Sequence, residues 1–363
     1  MHLPTIVLLA TRLAPVGVEP PPYRQPQLAA AHGKVAMAFG AGTSIYFTAS
    51  ADGGRTFAAP RKVTEVGVLA LGRHRGPRVT ILKDSILITA VVGAKLATGT
   101  HAHGLPDDGD LVSWRSADGG QTWVRGPAVN DAPGAAREGL HAIAADRDGN
   151  LFAAWLDLRT KGTRLYGARS ADGGRTWSKN TQLYESPDGT ICQCCAPALA
   201  AGSDGRFTIM WRNVIDGARD LYVAAPGGPA RKLGVGTWKI NACPMDGGGL
   251  VVQDGVVTSA WRREGDVYLA REGAGEKKLG AGKDVALVMG KDGPYVAWTA
   301  ANGPVVLGPR DAQPRVLGPA GGFVSIVALP DGAVLAAWEN GGAIETKRVD
   351  SYSGSRRPDS AAR

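Results

Sequence analysis

The sequence predicts an all-β protein, a β-propeller of four-stranded antiparallel blades, with seven blades favoured over six. Composition is the first reason: among 363 residues there are 51 Gly and 23 Pro, and only 20% of the residues are charged. Such a chain suits many short strands and turns. Coiled coils need charged, Ala/Leu-rich and Gly-poor stretches, and disordered chains lack this much apolar material. The second reason is a turn dipeptide that recurs between apolar runs, and the number of its copies predicts the number of blades.

Each copy of this dipeptide is typical of a tight hairpin, because Gly tolerates the positive φ that the turn requires. In six copies a large residue stands seven places after the first turn residue, and Trp298 is one place early. The tryptophans in this register are predicted to pack between adjacent blades. The seven copies are His32-Gly33, Asp84-Ser85, Asp148-Gly149, Asp204-Gly205, Asp254-Gly255, Asp292-Gly293 and Asp331-Gly332.

A third strand, such as RLYGARS, and a short fourth strand follow each hairpin. Four strands in units of about 40 to 60 residues form propeller blades, whose closed ring protects the sheet edges. We predict one propeller over residues 25–350, with six blades as the alternative if the terminal units merge. Residues 351–363 read as a disordered tail.

Residues 1–24 have two readings. The first ten are apolar but short, interrupted by Pro4 and without a basic start, so they are either a degenerate export signal or a strand around residues 4–9 that closes the ring. No stretch approaches the roughly 20 apolar residues of a membrane helix. The fold type favours a secreted or periplasmic location.

The net charge of +8 arises from 41 Lys and Arg against 33 Asp and Glu, spread along the chain. No basic run alternates with aromatics, so nucleic-acid binding is not predicted. Anionic small ligands fit this charge, and a propeller rim also suits a protein partner.

A longer motif lies between the third and fourth strands of three units. Its Asp can accept the backbone N–H groups of its own turn, its Gly pair supplies left-handed conformations, and its aromatic residue anchors the hairpin. The copies read SADGGRTF at 50–57, SADGGQTW at 116–123 and SADGGRTW at 170–177. This pattern resembles the Asp-box, or BNR repeat, of the sialidase superfamily, which implies a propeller and gives these aspartates a structural role.

The resemblance covers about residues 25–350 and extends to His74-Arg75-Gly76-Pro77, which is similar to the family's Phe-Arg-Ile-Pro element. In that family this arginine binds the sialic acid carboxylate together with two others. The resemblance therefore implies an acidic glycan, or another carboxylate ligand, held at the channel mouth by Arg75, Arg212 and Arg262. Several guanidiniums around one carboxylate make charge-assisted bonds.

The resemblance also implies catalytic candidates for an exo-α-sialidase-like hydrolase. Asp107 or Asp108, in the long insertion of the second unit, would be the acid/base, although a solvated turn is the alternative. Glu138 would pair with the nucleophile. The family's nucleophile is a tyrosine, and Phe323 stands where it is expected, so the catalytic set is incomplete.

Four cysteines and two histidines open a different possibility. The starts of successive blades ring one channel mouth, and sulfur with imidazole suits copper or zinc. The competing interpretations are structural disulfides and free or redox-active thiols. The alternatives to glycan binding are therefore a non-hydrolytic metal-binding propeller and a protein-interaction scaffold. The candidate metal ligands are Cys192, Cys194, Cys195, Cys243, His74 and His141.

Overall fold

The computed structural model describes residues 11–17, 19–99 and 103–350. These residues form seven antiparallel sheets of four main strands each, which confirms the seven-bladed propeller. No helix occurs among the described residues, and so none is long and apolar enough to cross a membrane.

The first three blades follow a short N-terminal strand, β1 (Thr11–Leu13). Blade 2 has an additional two-residue strand, Val68–Leu69, which pairs with the end of the strand Ile86–Gly93. Blade 1 contains β2 (Arg24–Ala31), β3 (Lys34–Ala41), β4 (Ser44–Ser50) and β5 (Arg61–Glu65). Blade 2 contains β6 (Val68–Leu69), β7 (Arg78–Ile81), β8 (Ile86–Gly93), β9 (Asp110–Ser116) and β10 (Val124–Ala128). Blade 3 contains β11 (His141–Ala145), β12 (Leu151–Asp157), β13 (Arg164–Ser170) and β14 (Thr181–Tyr184).

The remaining blades repeat this order, with the first strand innermost. Blade 4 contains β15 (Ala198–Ala201), β16 (Phe207–Arg212), β17 (Leu221–Ala224) and β18 (Arg231–Lys232). Blade 5 contains β19 (Gly248–Gln253), β20 (Val256–Arg263), β21 (Asp266–Arg271) and β22 (Gly275–Ala281). Blade 6 contains β23 (Lys283–Gly290), β24 (Gly293–Ala300), β25 (Gly303–Leu307) and β26 (Arg315–Val316). Blade 7 contains β27 (Gly322–Ala328), β28 (Val334–Asn340) and β29 (Ala343–Val349).

Both ends of the chain build blade 7. Strand β1 pairs antiparallel with β29, with Thr11 opposite Thr346 and Leu13 opposite Ile344. The ring is therefore closed by pairing of N-terminal and C-terminal strands, as the sequence suggested. The strand predicted around residues 4–9 and the tail at 351–363 lie outside the described residues.

The hairpin turns and the tryptophans behave as predicted. All seven turn dipeptides join the first and second strands of their blades. Trp211 of blade 4 is buried against Phe152 of blade 3, and Trp338 of blade 7 packs with Tyr295 of blade 6. The tryptophans thus fill the seams between blades.

The three Ser-x-Asp turns at 50–57, 116–123 and 170–177 share one hydrogen-bond pattern. In the second turn, Oδ1 of Asp118 accepts the backbone N–H groups of Gln121 and Thr122 at 3.0 Å each. A Cβ on Gly120, which has a φ of +92°, would collide with the ring of Phe47 in blade 1. The turns therefore fix the blade edges against their neighbours.

We expect the turn aspartates to make stability fall in acid. Burial raises the pKa of Asp172, but bonds from the Thr176 hydroxyl and N–H and from Ser170 outweigh it and hold the pKa at about 2. A carboxyl whose pKa is lowered on folding stabilises the fold above its unfolded pKa and loses that contribution as pH falls through the folded one. Asp172→Asn should melt lower at pH 6 and lose less between about pH 4 and pH 2 than wild type. Calorimetry that gave both proteins the same acid dependence would contradict this.

Candidate functional site

The segments that enter the first strands of the blades meet at one end of the propeller axis. The axis itself contains a cavity of about 320 Å³ lined by first strands, or the residues just before them, from all seven blades. Several residues at this mouth have left-handed backbones, which non-glycine residues adopt only when the surroundings impose them. Their φ values are 55° at Gln25, 69° at His74, 49° at Met245, 56° at Asp284 and 56° at Phe323.

Three cysteines converge where the chain enters blade 4. The Sγ atom of Cys192 lies 3.5 Å from the sulfurs of both Cys194 and Cys195, which are 3.9 Å from each other. All three are buried, at 1%, 7% and 1% exposure. The Cys192 N–H donates to the carbonyl of Arg212 in β16, which ties this turn, the thiol cluster, to the neighbouring strand.

The cysteines of the thiol cluster are not joined by disulfide bonds in the structure. Bonded sulfurs lie about 2.05 Å apart, well below the 3.5 Å seen within the thiol cluster. All four cysteines are free thiols, and Cys243 is exposed and outside the cluster. A staple between Cys243 and the cluster is therefore not formed in the structure.

Positive charge surrounds the thiol cluster. Nη1 of Arg219 donates to Sγ of Cys192 at 3.2 Å. Hydrogen bonds from Cys194 and Cys195 lower the pKa of the Cys192 thiol, and the charge of Arg212 adds to this against the effect of burial. One thiolate is thus favoured within a buried group of three sulfurs.

Arg75 and Glu138 form an ion pair beside the thiol cluster. Nε of Arg75 donates to the Glu138 carbonyl at 2.5 Å, and its Nη2 lies 3.5 Å from the Glu138 carboxylate. Burial lowers the pKa of Arg75 and raises that of Glu138. The charge of Cys194 acts on Arg75, and the charge of Cys192 acts on Glu138. The structure therefore brings the predicted arginine, glutamate and cysteines together.

The other two predicted arginines are engaged elsewhere. Buried Arg212 donates to the carbonyls of Arg219 and Arg262 at 2.7 and 3.0 Å. Its guanidinium and that of Arg262 lie 5.3 and 5.5 Å from the ring of Trp238. Arg262 also donates to the Glu264 carbonyl. Arg212 and Arg262 therefore share the ring of Trp238, whereas Arg75 is paired with Glu138. Within the described residues, no common acceptor joins the three guanidiniums.

The two candidate acid residues lie in a turn. Oδ1 of Asp108 accepts the N–H groups of Ala94 and Lys95 at 3.0 and 2.9 Å. The bond from Lys95 is the main reason that the pKa of Asp108 is lowered, whereas a general acid needs a raised pKa. Asp107 is exposed, and its N–H donates to the Lys95 carbonyl. This geometry fits the solvated-turn alternative.

Phe323 does stand at the channel mouth. Its ring meets that of His74 edge-on, with the centroids 5.3 Å apart. Two tyrosines of blades 5 and 6 are held within their blades, where Tyr295 is 1% exposed and Tyr268 stacks on Trp261. Neither tyrosine therefore occupies the position at the channel mouth where a sialidase has its nucleophile.

The six predicted metal ligands do not form one group. His141 is buried between blades 2 and 3, where Nε2 lies 3.0 Å from the Thr89 hydroxyl. Burial lowers the pKa of His141 to about 3. His74 instead faces two carboxylates, with Nε2 3.0 Å from Oδ1 of Asp284 and 3.9 Å from Oδ1 of Asp246.

Sequence reasoning missed Asp246, Asp284, Arg219 and Met245 as site residues. A signal was present for the aspartates: Asp246, Asp284 and Phe323 each stand eight places before the Asp of their blade's hairpin turn. Equal spacing puts equivalent residues of successive blades at the same height on the axis.

Comparisons with known proteins bear on the fold. No protein-family model matches the chain, and no curated protein matches it. Among solved structures, an α-L-arabinanase from Penicillium chrysogenum is 15% identical with a TM-score of 0.53, covering 94% of this chain and 98% of that one. The polysaccharide lyase Uly1 is 11% identical with a TM-score of 0.55, covering 90% of each chain.

The intramolecular trans-sialidase from Ruminococcus gnavus is 12% identical, with a TM-score of 0.51 and coverage of 90% of this chain and 94% of that one. The resemblance to sialidase propellers is thus confirmed at the level of fold. The chain has a propeller architecture that several enzymes acting on glycans also have.

Proposed function

We propose that the protein binds one thiophilic metal ion, Cu(I) or Zn(II), through Cys192, Cys194 and Cys195 at the channel mouth. The observation that carries the proposal is the spacing of the sulfurs, at 3.5, 3.5 and 3.9 Å. A point about 2.3 Å from all three, the usual Zn–S distance, lies about 0.9 Å above their plane. That is close to the base of a tetrahedral thiolate site with its fourth position open.

The surroundings of the thiol cluster support the same conclusion. Metal ligands must be thiolates, and Arg219 and Arg212 supply the positive charge that stabilises them. Met245 packs against the three cysteines. Its thioether is a soft donor of the kind that Cu(I) accepts.

The test is a titration of metal-free protein, purified anaerobically, with Zn²⁺ and separately with Cu(I), each against a chromophoric chelator. We expect one tightly bound Cu(I) ion per chain, and none in the variant Cys192→Ser/Cys194→Ser/Cys195→Ser. For Zn²⁺ we expect this variant to bind one ion fewer per chain than the wild type. Circular dichroism confirms that both proteins are folded. Equal metal uptake by the two proteins, or none by the wild type, would rule the proposal out.

A second candidate is recognition of an acidic, sialoside-like glycan at the same mouth. It is favoured by Arg75, which directly follows the channel-lining His74, and by a fold that glycan-acting enzymes share. Hydrolysis of the sialidase type is not proposed, since Phe323 has no nucleophilic hydroxyl.

For this candidate we expect Arg75→Gln to weaken binding of sialyllactose at least about tenfold, because it removes a charge-assisted bond to the carboxylate. Arg262→Gln is the matched control, since that guanidinium is engaged at Trp238. Ligand-observed NMR measures both variants. Absence of binding in the wild type, or an equal loss in both variants, would contradict the candidate.

Export to the periplasm or beyond also stays a proposal. It is supported by the fold type and the apolar N-terminal residues. Fractionation of cells that produce the full chain should recover it outside the cytoplasm, and recovery with cytoplasmic markers would refute export.

A further inference from the structure

We infer that His74, Asp246 and Asp284 form a second cation site, for a divalent ion that takes nitrogen and oxygen ligands. This site goes beyond the proposed thiolate centre and does not depend on it. Its three side chains come from the entries to blades 2, 5 and 6, and they meet at the channel mouth.

The spacing of the ligand atoms suits one ion. Ligands about 2.1 Å from a common metal lie about 3.0 to 3.4 Å apart in octahedral and tetrahedral geometry. Nε2 of His74 is already 3.0 Å from Oδ1 of Asp284. Oδ1 of Asp246 lies 3.9 Å from the same nitrogen, about 0.5 Å beyond this range.

An unpartnered buried oxygen points into the site. Asp246 is 1% exposed, and its Oδ2 accepts the backbone N–H of Asp284 at 3.1 Å. Its Oδ1, the atom that faces His74, has no hydrogen-bond partner among the described residues. A buried carboxylate oxygen without a donor is costly, and a bound cation removes that cost.

The charges around the site are compatible with a bound divalent cation. Two buried carboxylates face one imidazole. Arg212 and Lys283 add positive charge nearby, yet the terminal N–H groups of Arg212 go to backbone carbonyls. Within the described chain, neither residue donates a hydrogen bond to these carboxylates.

Access and selectivity follow from the position of His74. Its imidazole lines the axial cavity and is 19% exposed, while Phe323 covers one edge of the ring. An ion can therefore enter from the channel and keep water ligands there. One imidazole with two carboxylates suits Mn²⁺, Fe²⁺ or Zn²⁺, whereas Cu(I) prefers the sulfurs of the thiol cluster.

Mn²⁺ is the probe, because thiolates do not select it and the free ion is counted by electron paramagnetic resonance. We expect one Mn²⁺ per chain in the wild type and in Cys192→Ser/Cys194→Ser/Cys195→Ser. Binding should be at least about tenfold weaker in Asp246→Asn and in His74→Gln, which each remove one ligand. Asp148→Asn, at an exposed carboxylate, is the control and should bind as the wild type does.

The experiment distinguishes failure of this inference from failure of the thiolate proposal. Loss of Mn²⁺ only in the triple cysteine variant would assign the ion to the sulfurs and overturn the inference. So would absence of Mn²⁺ binding in the wild type, which would leave a structural ion pair. Should Asp246→Asn not fold, His74→Gln at the partly exposed position decides the matter, with thermal melting as the check on folding.

Discussion

Cys194→Ser should lower the affinity for Cu(I) or Zn²⁺ by more than about 100-fold, because loss of a first ligand costs more than the 10- to 100-fold expected for an outer-shell partner. The substitution keeps the size of the side chain and replaces soft sulfur with hard oxygen. With one sulfur gone, two remain 3.5 Å apart and no longer define the base of a tetrahedral site.

Cys243→Ser is the matched control, since that thiol is exposed and outside the cluster. The absorption of the Co²⁺-substituted proteins measures both variants through the sulfur-to-metal charge-transfer band. The band should weaken strongly in Cys194→Ser and persist in Cys243→Ser. The reverse pattern would place the metal at the exposed loop and contradict the account.

Trp155→Ala should reduce the free energy of unfolding by about 3 to 5 kcal/mol. Its indole is 0% exposed and packs with Val91 and Leu111 of blade 2. Its Nε1 donates to Oδ2 of Asp157 at 2.8 Å, so truncation opens a cavity at the seam and also removes a donor from a buried carboxylate.

Denaturant unfolding followed by far-ultraviolet circular dichroism measures this effect. Val124→Ala, at a side chain on the outer strand of blade 2 that is 71% exposed, is the control and should change stability by less than about 0.5 kcal/mol. Equal midpoints for the two variants would mean that the tryptophans are not what holds adjacent blades together.

The fold could be predicted because its signals are local. A hairpin turn such as Asp254-Gly255 and the tryptophan seven places later belong to one short segment, and hydrogen bonding and sterics within that segment decide its form. Repetition then favoured seven blades over six. Pairing of both termini was also foreseen, since the last blade of a ring needs a partner strand.

The site could be predicted only in part. The ring geometry correctly gathers Arg75, Glu138 and the cysteines of blade 4 at one mouth. Sequence could not tell that Arg212 turns to backbone carbonyls, or that His74 faces Asp284 rather than sulfur.

The directions of these side chains depend on bulges and left-handed residues at the strand starts. Those features depend in turn on contacts between blades that are distant in sequence, which a single sequence read for local pattern does not report.

X-ray absorption spectroscopy at the metal edge, on wild-type protein loaded with one equivalent of Zn²⁺ or Cu(I), shows whether the three thiolates hold the ion. We expect three sulfur scatterers at about 2.3 Å, with the sulfur shell lost in Cys192→Ser/Cys194→Ser/Cys195→Ser. A first shell of nitrogen and oxygen alone, unchanged in that variant, would contradict a thiolate metal centre at the channel mouth.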